Sequence, residues 1–561
     1  MCDGARSIGQ GRFVVARSVG YHACTYRIVT CAGVVICAFV GCGGEIEQQG
    51  NSDASVADGS LQDGGGVTDG GPRADAFSGE HADGATGDDA GTGDACVGVD
   101  CSGHGVCTVV GGEPQCTCEP YYRPEGLSCV LDPSQLQGFV VAPNGDDANP
   151  GTWERPFRTI GHGVSRLGPG DTLWVRQGVY VEAVTIAASG AEGAPLRVLA
   201  VPGERPVIDG DGRLPSSSWN ALLHVSGDSV EVAGFEVRNS SSNNGLGVKV
   251  SGRHSVARHL DVHHNHQQGI LLSGDGSVVE YSRIWQNGLV NADGVCQPEG
   301  TTTILCTWPA GISAARDSRD GITDNAVLRG NVVFNNWGEG ISTFEAQGTL
   351  IEDNIVFNNW SVNLYISDAW NVRAQRNLVF VTDDTPIVGA RLFPSNISLM
   401  DEVATARWNP SVHPRSRDNV VINNLVLGTR VCLMCWSSDE AVQDGAGLRN
   451  VLFAHNTIVD ATLVVGEYAN SGSRVVNNIF SEGTELDSRP GIEFRSNLAG
   501  DPGLVRNFTF SNTDSSVEFF KLTPLATEAI DAGEELQEVS EDFFRGVRGA
   551  LPDIGAHEFK P

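Results

Sequence analysis

The chain has 561 residues, too many for one ordinary domain, and its apolar content is sufficient for a large core. Its 70 glycines favour β-structure with many turns over helices. The formal net charge of −32 argues against direct binding of nucleic acid or an anionic membrane, and against unassisted binding of a polyanionic glycan.

The N-terminus has the pattern of an export signal. A basic region precedes an uncharged, mostly apolar run over residues 28–40, which is too short to span a bilayer. We therefore expect residues 1–41 to be a signal peptide. The run ends in Phe39-Val40-Gly41-Cys42, which resembles the lipobox of bacterial lipoproteins. This resemblance implies a lipid on Cys42 and a location at the outer membrane or cell surface; ordinary secretion is the alternative.

The segment that follows is acidic and poor in apolar residues. Residues 43–95 contain 12 acidic residues, one arginine and one aromatic residue. Such a composition cannot bury enough apolar surface to offset the entropy of ordering the chain. We predict a disordered tether over residues 42–95 that holds the folded part away from the membrane.

Six cysteines then follow in a span of 34 residues, Cys96 to Cys129, with one C-x-C step. A domain this small requires disulfides in place of a core, and spacing alone permits fifteen pairings. The pattern resembles an EGF-like domain over residues 96–129. The resemblance implies the pairs Cys96–Cys107, Cys101–Cys116 and Cys118–Cys129, and we expect the domain to be a rigid spacer, with partner binding as the alternative.

The rest of the chain begins and ends with recognisable segments. The segment from Phe139 and the C-terminal segment "PDIGAHEF", Pro552–Phe559, resemble the first and last segments of the pectate-lyase-like superfamily. The resemblance covers residues 138–561 and implies a right-handed parallel β-helix in an all-β chain. An amphipathic pattern at about residues 156–167 predicts a short helix that caps the first coil.

A repeated motif supports this fold. An asparagine followed by aliphatic residues recurs at steps of 22 or 23 residues, with one step of 47 that we interpret as one coil with a long insertion. Coils of this length suit three short strands each, stacked about 4.8 Å apart. We predict that each asparagine amide bonds to the coils above and below: Asn331, Asn354, Asn377, Asn424, Asn456 and Asn478.

One set of strands predicts a polar face. Alternation directs one set of side chains inward, namely Val248, Val250, Ile312, Ile341, Leu364 and Ile366. The other set then forms an outward column: Lys249, Leu271, Ser313, Ser342 and Tyr365. Acidic residues lie at the strand ends, and Trp337, Trp360 and Trp370 lie nearby. This arrangement suits a sugar-binding groove because aromatic rings stack on pyranoses and carboxylates bind hydroxyls.

The candidate catalytic residues depend on the reaction. A polysaccharide lyase needs a base, for which Lys249 or Tyr365 is available, and a cation such as Arg391 for the uronate carboxylate. A glycoside hydrolase needs two carboxylates, and its candidates are Glu339, Glu345 and Asp368. Each of these residues is equally compatible with an ordinary structural or surface position.

The sequence also contains candidate metal ligands and further cysteine pairs. We predict no definite cofactor; calcium is a candidate metal ion, with Asp317, Asp320 and Asp324 as candidate ligands, although their spacing also suits turns. Lyases of this fold that use a lysine base carry it in a calcium site, and no lysine follows the related segment at residues 291–295. We expect two local disulfides, Cys296–Cys306 and Cys432–Cys435.

We therefore predict a monomeric, carbohydrate-active protein of the cell surface, either a lyase or a hydrolase, acting on an extracellular polysaccharide. We expect no nucleic-acid partner, and contact with the membrane only through the lipid anchor. The alternative is a non-catalytic surface protein for binding or adhesion, in which the β-helix serves as a stalk.

Overall fold

The computed structural model describes the residues in the following ranges: 6–17, 20–31, 34–39, 94–294, 307–316, 322–382, 395–402, 415–481, 489–504, 510–511, 514–515 and 520–560. The chain divides into two compact units, Met1–Asp69 and Gly70–Pro561. Within the described ranges, no helix combines the length and the apolar composition needed to cross a membrane.

The first unit contains one antiparallel sheet of three strands, Arg6–Arg17, Gly20–Cys31 and Val34–Phe39. The central strand pairs with both others. The predicted signal peptide falls on these strands. The predicted lipid anchor Cys42, and the predicted tether up to residue 93, lie outside the described residues.

A disulfide-rich module begins the second unit. Its short helices are Asp94–Cys96 and Cys101–Gly103, and its two antiparallel hairpins are Gly105–Val110 with Glu113–Cys118, and Tyr122–Glu125 with Ser128–Leu131. Three disulfides join Cys96 to Cys107, Cys101 to Cys116, and Cys118 to Cys129. Because a small apolar cluster that includes Leu131, Leu136, Trp174 and Val201 links this region to the next, the module is packed against the first coils.

The rest of the second unit is a parallel β-helix. Each regular coil adds one strand to each of three parallel sheets, which we call sheets 1, 2 and 3 in the order in which the chain visits them. Sheet 1 has 13 strands: Phe139–Val141, Thr172–Val175, Leu196–Ala200, Val230–Ala233, Val256–Arg258, Val278–Glu280, Val327–Arg329, Leu350–Glu352, Arg373–Gln375, Val420–Ile422, Leu452–Ala454, Ser473–Val476 and Ile492–Arg495.

Sheets 2 and 3 follow the same coils. Sheet 2 has 12 strands: Val179–Tyr180, Val207–Asp209, Glu236–Arg238, Asp261–His263, Arg283–Trp285, Val332–Phe334, Ile355–Phe357, Leu378–Phe380, Leu425–Leu427, Thr457–Val459, Ile479–Phe480 and Leu498–Ala499. Sheet 3 has 10 strands: Val184–Ile186, Ala221–Val225, Leu246–Val250, Ile270–Leu272, Ala310–Ala315, Glu339–Phe344, Val362–Ser367, Ser395–Met400, Arg430–Leu433 and Thr462–Val465.

The remaining elements are short. They are a parallel pair Thr323–Asp324 with Ala346–Gln347, an antiparallel pair Phe510–Ser511 with Asp514–Ser515, the α-helices Ile160–Val164 and Asp439–Gln443, and the 3-10 helices Pro133–Gln135 and Leu289–Gly294. The first α-helix is shorter than predicted. Phe157 bridges to Val141 in extended conformation, and Thr159 caps the helix by accepting a hydrogen bond from the His162 N–H.

The solenoid core is continuous and apolar, except at two corners where buried asparagine side chains form ladders. The six side chains predicted to point inward in sheet 3 are fully buried in one cluster. The predicted asparagine ladder is confirmed: Asn331 donates to Asn354 at 3.1 Å, Asn354 to Asn377 at 2.9 Å, and the chain of side-chain amides continues through Asn424, Asn456, Asn478 and Asn497. The recurring asparagines therefore hold successive coils in register.

A second ladder, which we did not predict, lies at another corner. It runs through Asn265, Asn287, Asn336, Asn359, Asn363 and Asn396 with amide contacts of 2.9–3.0 Å. The step of 47 residues is one coil, as predicted. However, the insertion in this coil contains a sheet 3 strand, Ser395–Met400, which pairs with Val362–Ser367. We did not predict this strand, so the residue that it adds to the outward column was missing from the prediction.

The outer side of sheet 2 carries a stack of aromatic rings. The ring centroids of Phe334 and Phe357 lie 4.9 Å apart, and those of Phe357 and Phe380 lie 4.8 Å apart. They belong to an apolar cluster separate from the solenoid core. The C-terminal segment covers this stack with the side chains Phe520, Leu522, Ala526, Ala529, Phe543 and Ile554.

Candidate functional site

The outward face of sheet 3 carries the predicted column in register. Lys249 pairs with Leu271, Leu271 with Ser313, Ser313 with Ser342, and Ser342 with Tyr365. The column extends further than predicted in both directions, to Thr185 and His224 at one end and to Ser398 and Cys432 at the other. Parallel pairing therefore places side chains from distant parts of the sequence in one row.

Three side chains converge at Tyr365, and we call Glu339, Tyr365, Glu402 and Trp436 the acid cluster. The Tyr365 hydroxyl and the Trp436 indole N–H both hydrogen-bond to the Glu402 carboxylate, the latter at 2.6 Å. The rings of Tyr365 and Trp436 lie 6.1 Å apart. Glu339, at the start of its strand, bonds to Ser342 in the column and interacts electrostatically with both Tyr365 and Glu402.

Burial controls the ionisation of the acid cluster. It raises the pKa of Glu339 to about 8, with a further contribution from Glu402, so that Glu339 is mostly protonated at neutral pH. Burial also raises the pKa of Glu402, but the hydrogen bonds from Tyr365 and Trp436 favour the carboxylate and oppose that rise. Burial also raises the pKa of Tyr365 well above its usual range, and the neighbouring carboxyl groups of Glu402 and Glu339 raise it further. Tyr365 is therefore a hydrogen-bond donor rather than a base at neutral pH.

A second group of acids lies where the sheet 3 strands end. Glu345, Asp368 and Asp401 each follow a strand, and all are buried. Arg316 Nε lies 2.5 Å from Glu345 Oε2, and Arg415 Nη1 lies 3.2 Å from Asp368 Oδ1. Burial and the neighbouring Asp401 raise the pKa of Asp368. These ion pairs assign a structural role to both arginines.

The structure separates Lys249 from the other candidates. Lys249 is four strand spacings from Tyr365 along the column, or about 19 Å. Its neighbour in the column is His224, whose Nε2 lies 2.9 Å from Ser251 Oγ. Lys249 and Tyr365 therefore cannot act on the same bond.

Several predicted residues fall outside the described ranges: Arg391, Cys296, Cys306, Asp317 and Asp320. Cys432 and Cys435 form a disulfide directly before Trp436. In the part of the chain that the structure describes, no group of three His, Cys, Asp or Glu residues has metal-binding geometry.

The most important residues that we did not predict are Glu402 and Trp436. Glu402 follows the strand Ser395–Met400 in the proline-rich insertion, where the repeat is interrupted. Trp436 follows a cysteine pair that we interpreted only as a disulfide. The sequence does contain a signal for Glu402: the "SLMDE" run has a short strand pattern followed by Asp401 and Glu402, much as Asp368 follows the strand in "YISDA".

Comparisons with known proteins agree with the fold. Residues 139–375 match the family model described as Pel9A-like, right-handed β-helix region. The relatives include the uncharacterized protein YwoF of Bacillus subtilis (strain 168), 27% identical over 216 residues, 38% of this chain and 44% of that protein. They also include pectate lyase L of Dickeya dadantii (strain 3937), 26% identical over 166 residues, 28% of this chain and 36% of that protein.

The crystal structure of pectate lyase Pel9A aligns with a TM-score of 0.48 at 18% identity, over 76% of this chain and 98% of that chain. The chain spans less than half the length of the two curated relatives named above. The matched region is therefore a right-handed parallel β-helix of the pectate-lyase-like type.

Proposed function

We propose that this chain is an exported carbohydrate-active enzyme that hydrolyses a glycosidic bond of an extracellular polysaccharide at the acid cluster. The observation that supports this proposal is the arrangement of Glu339 and Glu402 around Tyr365. One carboxyl group is mostly protonated at neutral pH and the other accepts hydrogen bonds from Tyr365 and Trp436. Two carboxyl groups with different environments are what acid–base cleavage of a glycoside requires.

The two carboxyl groups have separate roles in this reaction. Glu339 donates its proton to the glycosidic oxygen as the bond from that oxygen to the anomeric carbon breaks. Glu402 accepts a proton from a water molecule, whose oxygen forms the new bond to the same carbon. Tyr365 and Trp436 are positioning residues for Glu402. The net charge of −32 favours a neutral glycan, or an anionic one bridged by calcium.

β-Elimination in a uronate-containing polysaccharide is the second candidate, because the matched family model and a curated relative are named for pectate lyases. Elimination forms an unsaturated sugar end without consuming water, so the products distinguish the two reactions. The non-catalytic alternative predicts glycan binding without any product.

The test is to incubate the purified full chain with neutral and uronate-containing polysaccharides and to measure reducing ends and the ultraviolet absorbance of unsaturated products. We expect reducing ends without that absorbance. Glu339→Gln and Glu402→Gln should each lower the rate at least about 100-fold, while Glu192→Gln, at an exposed site, should leave it unchanged. Unsaturated products would favour the lyase, and binding without products would favour an adhesion module.

The N-terminal region supports a surface location in this proposal. We propose that Cys42 carries the lipid, that residues up to 95 form the tether, and that residues 96–129 are an EGF-like spacer. The disulfides and the apolar contact with the first coils suit a rigid spacer. Expression in a bacterium fed a labelled fatty acid tests the anchor: label on the wild type and none on Cys42→Ala is expected.

A further inference from the structure

A pocket of about 470 Å³ lies in the C-terminal segment that covers the phenylalanine stack. Its volume is within the range of about 300–1,000 Å³ that small-molecule sites occupy. Its lining comes from three stretches of that segment, within residues 521–524, 542–546 and 557–560. The described residues that line it include none of the acid cluster, so the pocket is a separate site.

Hydrogen bonds hold the three stretches together. The Leu522 backbone N–H donates to His557 Nδ1 at 3.0 Å. The Glu558 backbone N–H donates to Asp542 Oδ2 at 2.7 Å. Because these contacts are internal to the protein and need no ligand, the pocket is formed before anything binds in it.

The pocket concentrates the lysines of the chain. The sequence contains only three, and two of them, Lys521 and Lys560, line this pocket. Lys560 is exposed, and the Lys521 ammonium lies 4.7 Å from the centre of the Phe544 ring, a cation–π contact that restricts its position. His557 adds a further donor, because its Nδ1 accepts a hydrogen bond and the proton of the neutral ring is therefore on Nε2.

The two acidic residues in the lining are engaged by other contacts. Asp542 is almost fully buried and accepts from the backbone N–H groups of Gly546 and Glu558 at 2.6 and 2.7 Å. Glu558 accepts from Nη1 of the buried Arg548 at 3.0 Å. The lysines therefore dominate the charge that a ligand meets. Since a chain of net charge −32 repels anions at a distance, a local pair of cations favours one specific anion at this place.

The remaining lining is largely apolar. It includes Leu522, Pro524, Phe544 and Phe559. The two phenylalanines are only partly buried, and both pack against the apolar cluster of the C-terminal segment. Aromatic rings pair favourably with other rings in offset or edge-to-face arrangements. The lining thus suits an anion carried on a ring, because a bare inorganic anion would leave these apolar side chains without a contact.

We propose that this pocket binds a small aromatic carboxylate. Its carboxylate accepts hydrogen bonds from Lys521 and Lys560, and its ring packs on Phe559. This inference goes beyond the proposed function, since the pocket lies apart from the acid cluster and needs no cleavage of a glycan. A ligand held between the three stretches also stabilises the folded C-terminal segment by mass action.

The experiment titrates the full chain with cinnamate, cinnamamide, acetate and inorganic phosphate, and measures dissociation constants by ligand-detected NMR. Cinnamate should bind with a dissociation constant of about 1 mM or lower. Cinnamamide keeps the ring but lacks the charge, whereas acetate and phosphate keep a charge but lack the ring. Each of these three should bind at least about tenfold more weakly than cinnamate.

Three lysine variants test the cations. Lys521→Ala and Lys560→Ala should each weaken cinnamate binding about fivefold, which is the upper range for one exposed ion pair. Lys521→Arg should retain most of the affinity, because a guanidinium also binds carboxylates. Lys249→Ala removes the third lysine, which lies on sheet 3, and as the matched control it should bind like the wild type. Urea unfolding checks that each variant is folded.

Several outcomes would overturn the site: equal binding of cinnamate and cinnamamide, equal losses in Lys249→Ala and Lys521→Ala, tighter binding of phosphate than of cinnamate, or no binding of cinnamate at about 10 mM. Glu339→Gln should bind cinnamate like the wild type, so the result is independent of any reaction at the acid cluster. A failure of the proposed hydrolysis would therefore leave this site intact, and the reverse also holds.

Discussion

The Trp436 indole N–H donates a hydrogen bond of 2.6 Å to Glu402 Oε2, although the two residues are 34 positions apart in the sequence. Each residue follows the end of a sheet 3 strand, and the two strands are neighbours. Stacking of successive coils thus creates this contact. It stabilises the ionised form of the carboxyl group that our proposal uses as a base.

Trp436→Phe should move the acidic limb of the pH–activity profile. The phenyl ring cannot donate a hydrogen bond, so the pKa of Glu402 should rise further above its ordinary value. The limb should shift to higher pH by about one unit, because loss of a hydrogen bond to a charged group is comparable with the 1.4 kcal/mol of one pKa unit. Trp308→Phe, at a half-exposed site, serves as the control; equal profiles for both variants would contradict this role.

Glu339 should make the stability of the protein depend on pH. Its folded-state pKa of about 8 is above the ordinary value of 4.5, so folding favours the protonated form. The stability that it contributes is complete below pH 4.5 and is lost as the pH rises through about 8. Urea unfolding of the wild type and Glu339→Gln should therefore give a difference in unfolding free energy that falls over this window. A difference that is constant with pH would show that Glu339 is not buried in its protonated form.

Asn354→Ala should destabilise the solenoid by about 2–4 kcal/mol, since it removes buried amide bonds and leaves their partners unsatisfied. Asn354 donates to Asn377 Oδ1 and to the Leu328 carbonyl oxygen, both at 2.9 Å, and accepts from Asn331. Denaturant unfolding measures the loss. Asn243→Ala, which removes an exposed 3.3 Å contact with the Ser216 carbonyl oxygen, should change stability by less than about 0.5 kcal/mol. Similar losses in both variants would refute the importance of the ladder.

Removal of the Cys432–Cys435 disulfide should affect activity more than stability. The loop that it closes is very short, so its entropic contribution is only about 2 kcal/mol. Cys432 packs with Tyr365 and Trp436 in one apolar cluster, and its loss should disturb the position of Trp436. We expect Cys432→Ala/Cys435→Ala to lose most activity while remaining folded. Cys96→Ala/Cys107→Ala, in the N-terminal module, should retain activity in the same assay.

Much of the fold could be predicted because a repeating environment produces a repeating sequence. The asparagine ladder and the outward column both follow from local spacing, and each prediction needed only neighbouring coils. The second ladder was missed because its step from Asn359 to Asn363 spans only four residues and breaks the period.

The candidate site was only partly predictable for a related reason. Tyr365 lies on a regular strand and alternation placed it in the outward column, whereas Glu339 was predicted only as an acid at the end of a neighbouring strand. Glu402 belongs to a coil whose length is increased by insertions, and its side chain reaches Tyr365 only because the strand Ser395–Met400 pairs beside Val362–Ser367. Sequence spacing could not reveal this contact, since it depends on where the insertion returns to the sheet.

The C-terminal cover over the phenylalanine stack has a consequence for biosynthesis. Residues 520–560 follow the whole solenoid in the sequence, yet they shield rings that belong to coils completed more than a hundred residues earlier. Until residues 520–560 are synthesised, the phenylalanine stack on the outer side of sheet 2 is an exposed apolar surface. A chain truncated before residue 520 should therefore aggregate even though its coils are already made, because the phenylalanine stack stays exposed.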